Sequence, residues 1–447
     1  MGITDGVERF LSKFDRFEKS LNGQSGSSIH QIRRAAIARF AEIGFPDART
    51  DEDWNYTNVA PLTGIEFNPV TEHRPGKIAP GDLGPYGFPG VETQMVFVDG
   101  HFAPELSSRP RLPKGVRATT LAEGLKEFPR LLEAHLGRHA SYRDHSFVAL
   151  NTAFILDGAF LHIPEGTVLA EPVHLLFLTA SRGSATVSYP RSLILAEPGS
   201  KATVIESYAG PEEGQYLTSA TTEIVLMEDV VLDHYRIQRE GRGAFHFATT
   251  QVQESRGCNF TSNSVSLGGG LVRNEVNTVL GGEGVESTLN GLYVVDGAQH
   301  VDNHTLIEHA SPRCTSHEFY KGTLDGRSTG AFRGKILVRK DAQKTDAYQS
   351  NRNLLLSDEA SVNAQPQLEI YADDVKCSHG ATIGQLDENA IFYLRARGMG
   401  LEPARQVLIR AFANEVLDRV RPEPVRTRLE GLVFEKLRAG RKARGVG

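Results

Sequence analysis

The chain has 447 residues, of which 40% are hydrophobic and 23% charged, with a formal net charge of -6. That length buries a large core, either in several compact domains or in one elongated repeat with end pieces, and the mild negative charge excludes a general attraction to nucleic acid or anionic membrane. Met1 to Ser25 holds no apolar signal segment, and the strongest apolar runs, such as Val173 to Thr179, fall far short of the roughly 20 residues of a bilayer span, so a cytoplasmic location is expected.

Phe10, Phe14, Phe17 and Leu21 recur at helical spacing, as do Ile32, Ala36, Phe40 and Ile43, which predicts two amphipathic helices over residues 4–44. Residues 50–90 are rich in Pro and Gly. Gln94-Met-Val-Phe-Val-Asp-Gly100 reads as a strand and turn, and 117–138 as helix, giving an α-rich region over 1–145. From Leu150 to Thr382 the texture changes to short runs of Val, Ile, Thr, Tyr and Phe. Turn residues punctuate them at Pro164-Glu-Gly166, Pro198-Gly199, Glu228-Asp229, Gly268-Gly-Gly270, Asp296-Gly297 and Asp325-Gly326. A mainly β core over 146–386 follows, and periodicity alone leaves a solenoid, a pair of sandwiches and a large barrel open. Helical spacing returns after Asp387, a candidate N-cap, with apolar stripes at Ile409, Phe412, Val416, Val420 and at Val425, Leu429, Leu432, Leu437 on either side of Pro422. This helical region, 387–447, reads as a bundle sealing the end of the β core, and its basic end from Lys436 to Arg444 as a solvated tail.

Cys258, Cys314 and Cys377 lie far apart with no CxxC pair, which argues against a disulfide framework or zinc ribbon and falls short of the four thiolates of an all-cysteine cluster. Cys377-Ser-His379 is the sharpest constellation: on a strand, residues i and i+2 share a face, so thiolate and imidazole are able to meet one metal. Two ligands do not close a tetrahedral site, whereas two related chains meeting edge to edge bring four. The plainer alternative is a buried structural cysteine beside a hydrogen-bonded histidine. A second grouping, His300, His304, His309, Cys314 and His317, has ligand-type residues at spacings that fit metal fingers poorly. There is no P-loop, no G-x-G-x-x-G, no G-x-S-x-G elbow and no H-E-x-x-H. Asp302, Glu308 and Asp325 are able to supply a carboxylate pair for sugar cleavage, but carboxylates this common mark nothing by themselves.

Tyr320-Lys-Gly322, Phe332-Arg-Gly-Lys335, Asp341-Ala-Gln343, Asn353-Leu-Leu-Leu-Ser357, Pro366-Gln-Leu-Glu-Ile370, Asp374-Val-Lys-Cys-Ser-His-Gly-Ala-Thr382 and Ile391-Phe-Tyr-Leu-Arg-Ala-Arg-Gly398 together resemble the SufB/SufD family. Asp53-Trp-Asn-Tyr-Thr57 looks like its N-terminal motif. Gly380, Gly384-Gln385 and Leu394 resemble the SufD branch. The resemblance implies a mainly β fold, a flattened parallel β-helix flanked by helical N- and C-terminal regions. It implies a non-enzymatic scaffold for iron-sulfur cluster assembly that pairs with a SufB-type paralogue through the β-helix edge. A SufC-type ATPase would dock on the helices of 387–440, and Ile409 and Leu429 would serve there as cap and docking surface together. Cys377 and His379 then read as interface residues for iron or a nascent cluster. The isolated chain would hold no cofactor, ATP would sit on the partner, and a homodimer would be open to the chain when alone. The rival readings are a purely structural adaptor for the ATPase and a β-helix polysaccharide-active enzyme.

Overall fold

The computed structural model describes residues 3–21, 28–71, 78–108, 112–180 and 185–443. The chain winds as a parallel β-solenoid of about 8 turns, with helices before and after it. Successive strands alternate between two sheets, so Leu271 lies beside His300 and His300 beside Thr329 in one, while Thr315 lies beside Asp346 and Asp346 beside Lys376 in the other. Each turn thus takes roughly 30 residues, without strict sequence repetition. Parallel pairing explains why near-continuous burial replaces clean alternation: strand Tyr216–Leu226 is buried at every position.

One edge of the solenoid is a column of tight turns. The N–H of Gly166, Gly199, Asp229, Gly257, Arg313 and Lys344 each donates to a carbonyl of the following turn, from Pro198 to Asp374. The column demands a left-handed backbone, supplied by Gly199 at φ 68 and, at higher cost, by Arg313 at φ 57 and Lys344 at φ 64. The expected strand at 94–98 is Thr93–Val98, and Asp99 and Gly100, at φ 52 and 88, turn it into a hairpin with His101–Phe102. The expected helix over 117–138 is instead a strand, Arg117–Thr120, and two short helices, Leu121–Glu127 and Pro129–His135, because Pro129 begins a new helix.

Helices Ile3–Ser20 and Ser28–Ile43 pack Phe10, Phe14, Phe17 and Phe40, with Trp54, onto Leu217 and Phe247 on the outer face of one sheet. Asp387 caps helix Glu388–Ala396, accepting from the Asn389 N–H at 2.9 Å, and Gly398 ends it at φ 90. Helices Leu401–Leu417 and Glu423–Ala443 lay Ile409, Val416, Leu429 and Leu432 on Tyr235, Ile237, Leu292, Val294 and Phe319, the outer face of the second sheet. They roof a face and do not seal an end. Ile409 and Leu429 are therefore spent on internal packing and offer no docking surface, contrary to the sequence expectation. Lys436 is not in a solvated tail either: it pairs with Asp296 at 3.0 Å, while Arg444 lies outside the described residues.

Lys321 pins this roof. Buried on the outer face of strand Thr315–Leu324, it donates to the Phe412 carbonyl at 3.0 Å, pairs with Glu415 at 2.8 Å and sits 4.0 Å from the Phe412 ring centroid. Lys321→Ala is expected to cost about 2 kcal/mol in urea unfolding and to release the C-terminal helices earlier in limited trypsinolysis, since Glu415 remains half exposed and tolerates losing its partner.

Candidate functional site

Both sheets stop at the same end of the solenoid, on strands Ser361–Ile370 and Lys376–Gly384. The preceding strands Thr329–Val338 and Asp346–Leu355 are mostly buried, whereas Ser361–Ile370 alternates exposed and half-buried residues and Lys376–Gly384 is exposed except at Cys377. Cys377 and His379 share one face of this last strand. Their register partners are Ala347 and Gln349, both buried inside the solenoid. Cys377 is half-buried against the interior core, and burial, with Asp346 adding to it, raises its thiol above the usual pKa, so the isolated chain favours the thiol. His379 stands exposed at the mouth, with no hydrogen bond to any described residue.

Directly below His379, the Gln349 amide donates to Glu318 at 2.6 Å, and both side chains are fully buried. Burial pushes the Glu318 carboxyl up to about 7. Gly334 makes room for this pair: a Cβ there would lie 1.9 Å from the Gln349 Nε2. Gly322 likewise admits the Tyr293 ring, whose hydroxyl donates to Asn353. The short motifs around residues 320, 332 and 353 are thus packing solutions of the last inner rungs.

The second histidine grouping is dispersed. His300 and His304 face outward, His300 bonding Thr57 at 2.9 Å and Thr329 at 2.6 Å, and His304 meeting Asp302 at 3.2 Å. His309 and Cys314 point inward, and His317 is exposed on the other sheet. Among the described residues no group of three or more His, Cys, Asp or Glu is placed to hold a metal ion. Cys258 and Cys314 lie in the interior core, and burial pushes Cys258 up to about 12. The three carboxylates do not converge: Asp302 binds Arg273 at 2.8 Å, Glu308 binds Arg339 at 2.7 Å, and Asp325 lies in a turn.

What sequence reasoning missed is the clamp beneath the N-terminal motif. Arg273 stacks 3.7 Å from the Trp54 ring centroid, donates to the Asp53 carbonyl at 2.8 Å and joins Glu275 and Asp302. Arg333 binds Asp53 at 2.6 Å and Gln365 at 2.8 Å, and Gln365 donates to Tyr56 at 2.8 Å. Although burial opposes it, His304 and Arg273 hold the Asp302 carboxyl well below its usual range, and Arg273 with His145 lowers Glu275 to about 2. Asp53-Trp-Asn-Tyr-Thr57 is therefore a strap across successive rungs, ending on the terminal strand Ser361–Ile370. Arg333 was already in a motif, but nothing in a single sequence pairs it with Asp53, and Arg273 and Gln365 stood in none.

These features define a parallel β-solenoid protein with a cysteine and a histidine on one face of an open final strand. The SufBD core domain of the SUF system for FeS cluster assembly matches residues 177–412, and the SufBD N-terminal region matches 5–175. The chain is 34% identical to an iron-sulfur cluster assembly SufBD family protein, slr0076, of Synechocystis, over 90% of this chain and 89% of that one. It is 30% identical to the iron-sulfur cluster assembly protein SufD of Escherichia coli over 90% and 92%, and 30% identical to the chloroplastic protein ABCI7 of Arabidopsis thaliana over 92% and 86%. The chain belongs to the SufBD family of iron-sulfur cluster assembly proteins and resembles its SufD members. No helix among the described residues is long and apolar enough to cross a membrane.

Two of the buried carboxyls, Glu254 and Glu318, contribute a pH dependence of definite direction. Burial raises Glu254 to about 8 and Glu318 to about 7, above their unfolded value. Between roughly pH 4.5 and 8 these two carboxyls therefore bind more protons in the folded state than in the unfolded one, and their contribution to stability falls as pH rises. Glu254→Gln should leave the melting temperature at pH 5 nearly unchanged and raise it by several degrees at pH 9, measured by scanning calorimetry.

Proposed function

We propose that the chain is a non-enzymatic scaffold subunit that pairs with a SufB-type paralogue through its open rung, docks a SufC-type ATPase on its C-terminal helices, and presents Cys377 and His379 to iron or a nascent cluster between the paired chains. The reading rests above all on the unpaired edge of Lys376–Gly384. Lys376 donates back to Thr345 at 2.8 Å, so by alternation the backbone N–H groups of Cys377, His379, Ala381 and Ile383 face the open side. On the other terminal strand, Ser361 and Tyr371 both donate back, at 3.1 and 2.9 Å, which puts Pro366 where an outward N–H would stand. Pro366 blunts that edge, and the strand bearing Cys377 and His379 is the one left able to add a partner strand.

Cys377 and His379 supply two of the four ligands of a tetrahedral site, and a paired chain completes the set. Iron or a cluster is cargo here, and ATP belongs to the partner. With the apolar stripes consumed, the docking surface falls to the exposed Phe392, Tyr393, Leu401 and Val407, large apolar side chains on the outward faces of the first two C-terminal helices.

Anaerobic co-expression with SufB- and SufC-type partners, followed by co-purification and iron and sulfide analysis, tests both halves. Ala381→Pro removes an outward N–H without touching the ladder to Asp346–Leu355 and should weaken paralogue binding at least tenfold while the isolated chain stays folded. His379→Ala should leave the complex intact and lower its iron and sulfide content several-fold; unchanged content in a Cys377→Ser, His379→Ala double variant would reduce the chain to an adaptor.

A further inference from the structure

The inner column Glu318, Gln349, His379 carries a second level of organisation, resting on the reading of His379 as a metal-facing residue. Gln349 spends its amide nitrogen on Glu318 at 2.6 Å, which fixes which way the amide points. Its carbonyl oxygen Oε1 is buried and accepts no hydrogen bond from any described residue. A buried acceptor without a donor is costly, so a donor within reach is strongly favoured. The residue in register on the next rung, one strand spacing of roughly 4.8 Å away, is His379. Among the described residues its ring has no partner either, and no further rung lies above it.

We infer that Gln349 is a positioning residue for His379: its carbonyl accepts the N–H of one ring nitrogen, fixes the imidazole tautomer and turns the lone pair of the other nitrogen toward the open edge. A neutral imidazole donates from one nitrogen and accepts at the other, so occupying the donor side selects the ligand side. Glu318 acts one step further back, by holding the amide so that oxygen and not nitrogen faces the mouth. Gly334 belongs to the same device, because any side chain there would displace the amide. Histidine ligands elsewhere are oriented by an outer carbonyl in this way, at a cost of 10–100-fold in metal affinity when it is removed.

Selective ¹⁵N-histidine labelling of the full-length chain, with His379→Gln to assign the signal, reads the tautomer directly. Wild type should show one tautomer at His379. Gln349→Met, similar in length but lacking the acceptor, should show a mixture in a chain that still folds, though it melts lower because Glu318 loses its donor, and Gln349→Glu, which keeps an oxygen, should restore the single form. The same tautomer distribution in wild type and Gln349→Met would overturn the inference. Anaerobic Fe(II) titration of the co-purified complex should show binding about tenfold weaker in Gln349→Met. Affinity that falls with His379→Ala but not with Gln349→Met would also overturn the positioning role. A tautomer released by Gln349→Met, with Fe(II) affinity unaffected by either variant, would uphold the hydrogen bond and remove His379 from the ligand set.

Discussion

The lateral hydrogen-bond ladder between rungs is the constraint from which the rest of this molecule follows. A strand inside the solenoid satisfies its backbone groups only through the rung before and the rung after, so both ends of the stack are left with unpaired donors and acceptors. The two ends are finished differently. At the start, the short antiparallel strands His101–Phe102 and Arg117–Thr120 close the sheets with two- and four-residue edges. At the finish, strands of ten and nine residues are left bare. Native proteins blunt long flat edges unless another chain uses them, and here one of the two, bearing Pro366, is blunted while the other is not.

The interior along the stack changes character in the same direction. The first rungs hold Met95, Leu161, Leu175 and Ile194, an ordinary apolar filling. Further along, Glu206 meets His234 at 2.9 Å, Glu240 meets His246 at 2.7 Å, Arg236 joins Asn274, and Gln349 joins Glu318. Many of these bonds run from one rung to the next or across to the facing sheet. A one-residue slip in a strand would turn its inward polar group out and leave the partner buried and unpaired, so the pairs penalise wrong register more than apolar filling would. Burial of Glu318 and Glu254 without a cationic partner is the cost that remains, visible in their raised pKa values.

Sequence patterns carried the large divisions: Phe10 to Leu21 and Ile409 to Val420 have helical periods because each packs one face, and Asp387 caps where a side-chain acceptor was expected. The solenoid itself was legible only through family motifs, since strands buried on both faces lose the alternation that would reveal them. Cys377 and His379 were legible as a same-face pair from their spacing. The strap was not, because Arg333 and Asp53 are 280 residues apart and neither is unusual alone. Nor was the fate of the C-terminal stripes: an amphipathic helix looks the same whether it roofs a sheet, seals an end or binds another chain.

That roof of C-terminal helices is connected to the final rung. Helix Leu401–Leu417 is pinned through Lys321 to strand Thr315–Leu324, which is bonded along its length to Asp346–Leu355, and that strand in turn to Lys376–Gly384. On the other sheet the strap from Asp53 to Thr57 holds Arg333 and, on the second terminal strand itself, Gln365. The final rung is thus gripped from the C-terminal helices on one face and from the N-terminal region on the other. A close-packed interior passes strain on instead of absorbing it. The C-terminal helices are therefore joined to the strand of Cys377 and His379 across two hydrogen-bonded ladders, while the strap ties the facing strand to the N-terminal region.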